Sequence, residues 1–259
     1  MTPRSGTMTQ PANPWLYHFE PNPKASVRLF CFPYAGGTAL VYRTWAQRLS
    51  PSVEVVAIQL PGRASRMQEP PISKLTDLVE PIASALAPFL DKPFAFFGHS
   101  MGALTSFEVA RFFRRQGREL PRHMFVSGRP APQLNSERRT LYNLPTDELI
   151  TELQQLEGTP REVLEHPELM DLMLPTLRAD FSVCDTYEYT EEAPLACPIT
   201  AFGGLQDSDI SRRKLEAWRE QTSAAFTVRM FPGNHFFIHS HETLLLNLLA
   251  AQLGLVQHI

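Results

Sequence analysis

The sequence predicts an α/β protein whose mainly parallel sheet is covered by helices on both faces. The first observation behind this prediction is an alternation along the chain: short apolar runs, typical of buried strands, are followed by segments whose apolar residues recur at helical spacing. The second is that the candidate functional residues follow the ends of apolar runs, which is where ligands bind to such sheets. The length of 259 residues, 43% of them hydrophobic, is sufficient for one domain with a sizeable core.

Six apolar runs are predicted to form the strands, at residues 27–32, 53–58, 94–97, 123–127, 198–202 and 226–231. Helices are predicted between them, at about 39–49, 74–90, 212–221 and 241–253, with a further helix directly after residue 102. Strands that alternate with helices in this way form a parallel sheet covered on both faces. Pro81 falls within the second helical pattern, and because proline removes a helical hydrogen bond, it is expected near a kink or an end.

A long insertion separates the fourth and fifth predicted strands. Residues 133–194 contain no convincing strand, and their apolar residues recur at helical spacing in two places, the second interrupted by Pro175. An insertion of this length is more than a connection needs. A helical hairpin that covers the core and a lid over the site are compatible interpretations. We therefore predict a single domain at 15–259 with a helical lid at 133–194, preceded by a disordered tail at 1–14. The apolar residues of the two helical patterns are Leu149, Ile150, Leu153 and Leu156, and then Leu169, Leu172, Met173 and Leu177.

The composition excludes several classes of function. A formal charge of −3 does not favour nucleic-acid binding or attraction to an anionic membrane. No apolar run reaches transmembrane length, and the first residues contain no hydrophobic signal-peptide core. Cys31, Cys184 and Cys197 are widely spaced and fit no metal pattern, so they are predicted to be reduced residues in or near the core of a cytoplasmic protein. We expect neither a metal nor a cofactor.

A possible nucleophile occurs in the sequence G-H-S-M-G, residues 98–102. An apolar run precedes it and a helical pattern follows it, which is the context of the nucleophile elbow of α/β-hydrolases. Ser100 would lie at the tip of a sharp turn, and Gly98 and Gly102 would let strand and helix approach on either side. Its hydroxyl would then lie beside the N-terminus of the next helix, where free backbone N–H groups favour an anion. The alternative is an ordinary glycine-rich turn of another α/β protein.

A serine hydroxyl needs a base, and α/β-hydrolases supply nucleophile, acid and histidine in that order along the chain. Asp207 follows the fifth predicted strand and is the favoured acid, with Asp209 as the alternative. His235 follows the sixth strand in a tight turn and is the favoured base. Asp180 and Asp185 lie in the insertion and are weaker candidates for the acid.

Three further histidines are less suited to the role of the base. His99 is held inside the elbow, directly before the nucleophile. His239 and His241 follow His235 closely, and both are expected to lie in the next helix.

An oxyanion hole of this fold uses two backbone N–H groups. One belongs to the residue after the nucleophile, here Met101. The other belongs to the loop after the first parallel strand, residues 33–37, where Ala35 is the favoured donor and Tyr34 the alternative. The two glycines of this loop permit close approach to a reacting carbonyl. An ordinary glycine-rich turn remains the competing interpretation.

Together these motifs resemble the type II thioesterases, the stand-alone thioesterases that accompany modular polyketide and nonribosomal peptide synthetases. The resemblance covers nearly the whole chain after the N-terminal tail. Asn234 replaces the glycine or acidic residue expected before the histidine, and Ser208 stands where a proline often follows the acid. The matching segments are F-C-F-P-Y-A-G-G (30–37), L-P-G-R (60–63), F-F-G-H-S-M-G-A (96–103), L-P-T-L-R-A-D-F (174–181), the G-G-x-x-D loop (203–207) and F-P-G-N-H-F-F (231–237).

This resemblance implies a serine thioesterase that removes acyl groups from the phosphopantetheine arm of carrier proteins. The implied partners are acyl or peptidyl carrier proteins, and the implied process is the clearing of stalled or wrongly loaded chains. A carboxylesterase or lipase and an acyltransferase share the elbow chemistry and stay as alternatives. A non-enzymatic binding module is disfavoured, because candidates for nucleophile, acid and base are all present.

A basic cluster follows the elbow in the same predicted helix. Its members are Arg111, Arg114, Arg115 and Arg118. Carrier proteins are usually acidic, so such a cluster could serve in docking. A solvated helix face is the favoured interpretation.

Overall fold

The computed structural model describes residues 13–254 apart from 50, 135–139, 157, 159–163 and 165. The strands in these residues are β1 (Leu16–His18), β2 (Val27–Phe32), β3 (Val53–Ile58), β4 (Phe94–His99), β5 (Met124–Ser127), β6 (Ile199–Gly204) and β7 (Phe226–Phe231). They form one sheet in the order β1-β3-β2-β4-β5-β6-β7. All neighbouring strands are parallel except β1 and β3, which are antiparallel. The predicted fold class is confirmed.

Continuous apolar runs form the central strands because both faces of the sheet are covered. Every residue of β2, β3, β4 and β6 is buried. On one face Phe30 and Phe96 pack in a core cluster that includes Phe113. On the other face Phe97 packs with Trp45 in a second cluster. A strand buried on both faces needs no polar alternation, which is why these runs are recognisable in the sequence.

Helices cover the sheet and form the insertion. They are α1 (Arg43–Leu49), α2 (Leu75–Leu86), α3 (Met101–Arg115), α4 (Thr146–Leu156), α5 (Pro167–Asp185), α6 (Arg212–Glu216), α7 (Phe237–Ser240) and α8 (Glu242–Gln252). Short 3-10 turns lie at Ala39–Tyr42, Ala64–Arg66, Ala87–Phe89 and Ala217–Gln221.

Several predicted boundaries differ from the structure. The helices predicted at 39–49 and 212–221 each consist of a 3-10 turn and an α-helix, and the last helix starts earlier, as α7, with a break at His241. Pro81, predicted near a kink or an end, lies inside α2, and Pro175, which interrupts the helical pattern of the sequence, lies inside α5. Both helices bury an apolar face, and this burial offsets the one hydrogen bond that each proline removes. The strand β1 was not predicted, because it has only three residues and lies at the edge of the sheet.

Residues 133–194 contain α4 and α5, and no strand lies in their described part. The two helices pack around an apolar cluster of their own, formed by Leu141, Leu144, Leu149, Leu153, Met170, Leu174, Leu177 and Phe181. The boundaries of the domain and the role of this insertion as a lid stay predictions. Residues 1–12 of the predicted tail are outside the described residues.

The four arginines of the basic cluster differ in burial: Arg115 and Arg118 are exposed, and Arg118 lies beyond the end of α3. The side chain of Arg111 is buried and pairs with Glu108 and Glu192. Arg114 and Arg115 also pair with Glu192. The prediction of a solvated helix face is therefore wrong for Arg111, because this arginine joins α3 to the segment before β6.

Three further observations concern the cysteines, possible metal ligands and the helices. Cys31, Cys184 and Cys197 are free thiols, and burial raises the pKa of Cys197 to about 12. The described residues contain no cluster of three or more His, Cys, Asp or Glu side chains that could hold a metal ion. None of the helices in the described part of the chain is long and apolar enough to cross a membrane.

Candidate active site

Ser100 lies between β4 and α3 in a backbone conformation that is rare for a residue with a side chain. Its φ is 53° and its ψ is −114°. The turn is held by two backbone hydrogen bonds, from the N–H of Ser100 to the carbonyl of Ser127 (2.7 Å) and from the N–H of Ala103 to the carbonyl of Ser100 (3.1 Å). A strained residue of this kind costs about 1–3 kcal/mol and persists only where the surroundings hold it.

The two glycines of G-H-S-M-G are required by close packing. A Cβ atom on Gly98 would overlap the backbone of Gly102. A Cβ atom on Gly102 would overlap the carbonyl group of Phe32 in β2. The spacing of the motif therefore lets α3 lie directly against β4 and β2, with Ser100 at the tip of the turn.

The structure brings Asp207 and His235 together. The Nδ1 atom of His235 lies 2.7 Å from Oδ2 of Asp207. Oδ1 of Asp207 accepts hydrogen bonds from the backbone N–H groups of Asp209 (3.0 Å) and Ile210 (3.1 Å). The two side chains meet because β6 and β7 are neighbours in the sheet and each residue follows the end of its strand. The backbone of Asp209 thus supports the carboxylate of Asp207.

The hydrogen bonds of Asp207 keep its carboxyl group ionised. Burial alone would raise the pKa of Asp207, but the hydrogen bond and charge of His235 and the two backbone N–H groups outweigh burial, and its pKa is lowered. An ionised carboxylate on Nδ1 fixes the tautomer of the ring, so Nε2 is the nitrogen left for proton transfer. His235 and Ser100 line the same cavity.

The other three histidines each make a polar contact with a residue other than Ser100 or Asp207. Nδ1 of His99 lies 2.9 Å from Oγ of Ser127, and Nε2 of His239 lies 3.1 Å from the hydroxyl of Tyr34. His241 contacts the neighbouring Ser240. Contrary to the prediction, His241 lies between α7 and α8, while His239 lies in α7.

The cavity beside Ser100 is small and has mainly apolar walls. Its volume is about 40 Å³, which is room for about three waters. Part of the wall comes from the insertion and part from the loops after β2 and β7. The lining residues are Tyr34, Ala35, Ser100, Leu153, Leu156, Gly158, Phe181, His235 and Phe236.

Both predicted oxyanion donors lie next to this cavity. Ala35 lines it, and Met101 follows Ser100 as the first residue of α3. The loop 33–37 contains a tight turn, in which the N–H of Gly37 donates to the carbonyl of Tyr34 at 2.9 Å. Tyr34, the alternative donor, also lines the cavity, and burial raises the pKa of its hydroxyl.

The two weaker acid candidates have partners away from His235. Asp180 forms an ion pair with Arg63, and Asp185 accepts hydrogen bonds from the backbone N–H groups of Leu141 and Tyr142. The pairing of Asp180 with Arg63 was not predicted from the sequence. Both residues lie in segments that carried the family resemblance, L-P-G-R and L-P-T-L-R-A-D-F, and this was the only signal for it.

Known proteins are similar to this chain over most of its length. A family model described as "Thioesterase domain" matches residues 27–253. Gramicidin S biosynthesis protein GrsT of Aneurinibacillus migulanus is 46% identical over 250 residues, which are 96% of this chain and 98% of that protein. Linear gramicidin dehydrogenase LgrE of Brevibacillus parabrevis is 47% identical over 242 residues, 92% of each. The solved type II thioesterase BorB, from the borrelidin biosynthetic cluster, matches with a TM-score of 0.86 at 35% identity and covers 94% of this chain and 99% of its own.

Proposed function

Because this chain belongs to the thioesterase family, we propose that it is a serine thioesterase that hydrolyses acyl groups from the phosphopantetheine arm of carrier proteins. The observation that carries the proposal is the cavity lined by both Ser100 and His235, with Asp207 hydrogen-bonded to the far side of the imidazole. This arrangement suits acyl transfer to a serine. Family membership adds that the acyl donor is a thioester.

In the first half of the reaction, Oγ of Ser100 attacks the thioester carbonyl while Nε2 of His235 takes the hydroxyl proton. Asp207 orients the ring and stabilises the imidazolium that forms. The N–H groups of Ala35 and Met101 stabilise the oxyanion of the tetrahedral intermediate. Collapse of this intermediate expels the thiol of the pantetheine arm, which takes the proton from His235, and leaves the acyl group on Ser100.

In the second half, water replaces the thiol. His235 takes a proton from the water as it attacks the acyl-enzyme, and the same two N–H groups stabilise the second oxyanion. Ser100 then leaves with the proton held by His235, and the free carboxylic acid departs. No step requires a group beyond these side chains and the backbone.

The names of the relatives support a carrier-bound substrate, and the walls of the cavity support an acyl group. BorB is described as a type II thioesterase of a biosynthetic cluster, and GrsT as a protein of gramicidin S biosynthesis. The walls contributed by Leu153, Leu156 and Phe181 are apolar, as an acyl group requires. LgrE is named a dehydrogenase. Dehydrogenases that bind a dinucleotide typically contain the motif G-x-G-x-x-G, and this sequence does not contain it.

The test compares one acyl group on three supports: a carrier protein, free pantetheine and an oxygen ester of the same size. Catalytic efficiency should fall in that order for the wild-type protein. Ser100→Ala should remove turnover on all three, by a factor on the order of a million, with an unchanged circular dichroism spectrum. Equal efficiency on carrier protein and pantetheine would remove the carrier from the proposal. Near-normal turnover by Ser100→Ala would overturn the serine mechanism.

A further inference from the structure

Asp180, in helix α5 of the insertion, is a buried carboxylate with three hydrogen bonds. It is 1% exposed. Its two oxygens face the guanidinium group of Arg63, with Nη1 at 2.5 Å from Oδ2 and Nη2 at 2.7 Å from Oδ1. Oδ2 also accepts the backbone N–H of Gly36 at 2.7 Å. Asp180 therefore binds the loop after β2 and the loop after β3 at the same time.

Burying the charges of Asp180 and Arg63 costs free energy, which only a well-oriented ion pair with further hydrogen bonds offsets. An ionised carboxylate in the interior is unfavourable unless it is paired and its oxygens are hydrogen-bonded. The bidentate contact with Arg63 meets this condition, and Arg63 also donates from Nη1 to the carbonyl of Gly37 at 3.3 Å. The pair therefore binds both glycines, since Asp180 accepts the N–H of Gly36 and Arg63 donates to the carbonyl of Gly37.

The held segment directly follows Ala35, the proposed oxyanion donor. The hydrogen bond from Gly37 to the carbonyl of Tyr34 fixes the peptide between Tyr34 and Ala35. In a planar trans peptide the N–H points opposite to the carbonyl, so the N–H of Ala35 points away from the turn. The next peptide carries the N–H of Gly36, which Asp180 binds. Two consecutive peptides around Ala35 therefore have fixed orientations.

Packing from α5 adds to this hold. Gly36 has a φ of +75°, and a Cβ atom there would lie 2.8 Å from Cδ2 of Leu177. Ala35 itself packs against the apolar cluster of the insertion. The loop 33–37 and helix α5 therefore form one packed unit, in which Asp180 provides the polar contact.

We propose that Asp180 is a positioning residue that holds the loop 33–37 in the conformation that binds the oxyanion, with Arg63 as its supporting partner. The oxyanion hole is then complete only while α5 is seated on the loop. This inference rests on the proposed serine mechanism. It assigns Asp180 a part in stabilising the transition state and no part in proton transfer.

The test is the variant Asp180→Asn, which has nearly the same shape but one acceptor oxygen fewer. We expect kcat on an acyl-thioester to fall by about 10- to 100-fold, less than the 10²–10³ that follows loss of an oxyanion donor, with KM within about threefold of the wild-type value. Inhibition by an alkyl boronic acid, which forms a tetrahedral anion on the serine, should weaken by the same factor as kcat/KM. Binding of a thioether analogue, which carries no oxyanion, should stay unchanged.

Asp185→Asn is the matched control. Asp185 is also a carboxylate of α5 that accepts backbone hydrogen bonds, but its donors are Leu141 and Tyr142 within the insertion. This variant should keep its kcat and its boronic acid inhibition even if its melting temperature falls. An Asp180→Asn protein with wild-type kcat and wild-type boronic acid inhibition would overturn the proposal. Wild-type and Ser100→Ala proteins are assayed beside these variants. If the serine mechanism itself were wrong, Ser100→Ala would turn over substrate about as fast as the wild-type protein, whatever the result for Asp180→Asn.

Two measurements keep the proposal falsifiable if Asp180→Asn does not fold. Arg63→Lys retains the charge and loses the bidentate contact, so it should also lower kcat and weaken boronic acid inhibition. In the wild-type protein the amide proton of Gly36 should be protected from hydrogen exchange, because a buried carboxylate binds it. Exchange at the rate of an exposed loop amide would exclude the contact and overturn the proposal.

Discussion

The imidazole rings of His99 and His235 lie against each other, with their centroids 5.0 Å apart. Gly128, at the end of β5, makes room for this contact, since a Cβ atom there would lie 3.2 Å from Cε1 of His235 and would overlap His99. Burial, together with the nearby His235 and His239, holds the pKa of His99 well below its usual range. A neutral neighbour allows His235 to accept a proton without repulsion from a second cation.

Replacing each histidine separately tests whether His235 is the base and His99 its neutral neighbour. His235→Asn should lower turnover by a factor on the order of a million, because it removes the ring that Asp207 binds and that lines the cavity together with Ser100. His99→Asn should lower turnover by about tenfold or less, since the neutral ring of His99 contacts Ser127 and packs beside His235 but is assigned no proton transfer. Steady-state kinetics on an acyl-pantetheine substrate measure both. A large loss in the His99 variant together with a small loss in the His235 variant would reverse the assignment.

Asp207 and Asp209 give a second matched pair. Asp207→Asn should reduce turnover by roughly ten-thousandfold, because an amide cannot hold the imidazole tautomer as a carboxylate does. Asp209→Asn leaves the backbone N–H that supports Asp207 in place. Turnover of that variant should stay close to the wild-type value. Comparable losses in both variants would mean that the side chain of Asp209 also acts on His235.

Local chain chemistry explains which parts of the fold and site were predictable. Continuous apolar runs marked the central strands, because a parallel sheet buries both faces. The glycines of the elbow marked Ser100, since only residues without a Cβ atom fit beside β2 and α3. Asp207 and His235 were recognisable by their position after neighbouring strands. Each of these signals lies within a few residues of the feature it predicts.

The unpredicted features depend on contacts between distant segments. Arg63 and Asp180 are separated by 117 positions, and neither residue shows in the sequence that its charge is buried. The strand β1 exists because it pairs with β3, since its own three residues are too few to predict a strand. Pro81 lies within α2 because tertiary packing outweighs the hydrogen bond that it removes. Such outcomes are set by packing that no local pattern records.

His123 should make stability depend on pH. Burial and the nearby Arg122 lower the pKa of His123 to about 4, from an unfolded value near 6.5. As the pH falls below about 6.5, His123 binds a proton in the unfolded chain but stays neutral in the folded protein. The free energy of unfolding therefore decreases until the pH reaches the pKa of His123 in the folded protein. The slope from this one group is at most about 1.4 kcal/mol per pH unit.

The variant His123→Gln isolates this contribution. Glutamine does not titrate, and its amide can replace the contact between Nε2 of His123 and the hydroxyl of Thr200, which is 2.8 Å long. Denaturant unfolding at pH 7 and pH 5 should show a smaller loss of stability for the variant than for the wild-type protein. The other histidines contribute equally to both proteins and cancel in the comparison. An unchanged difference between the two pH values would mean that His123 is protonated in the folded state.

The last prediction concerns the acyl group that the cavity accepts. Leu153 and Leu149 lie one turn apart in α4 and belong to the same apolar cluster, but only Leu153 is among the residues that line the cavity beside Ser100. Leu153→Ala should enlarge this cavity and shift the preference toward longer or branched acyl groups. Leu149→Ala removes the same atoms from a fully buried position and should cost about 2–5 kcal/mol of stability without a change in preference. Competition among acyl-pantetheine substrates of graded length measures the preference, and thermal unfolding measures the cost.

Comparing the two variants shows whether α4 limits the length of the acyl group or only stabilises the insertion. A cavity of about 40 Å³ is too small for a long chain as its walls stand, so the wall next to the acyl group should limit its length. A shift in the Leu153 variant alone assigns this limit to α4 and supports the role of the insertion as a lid. Identical profiles for both variants would place the acyl group against other walls, such as Phe236 in the loop after β7. A shift in both variants to the same extent would mean that loosening of the whole insertion, rather than the shape of the cavity, sets the preference.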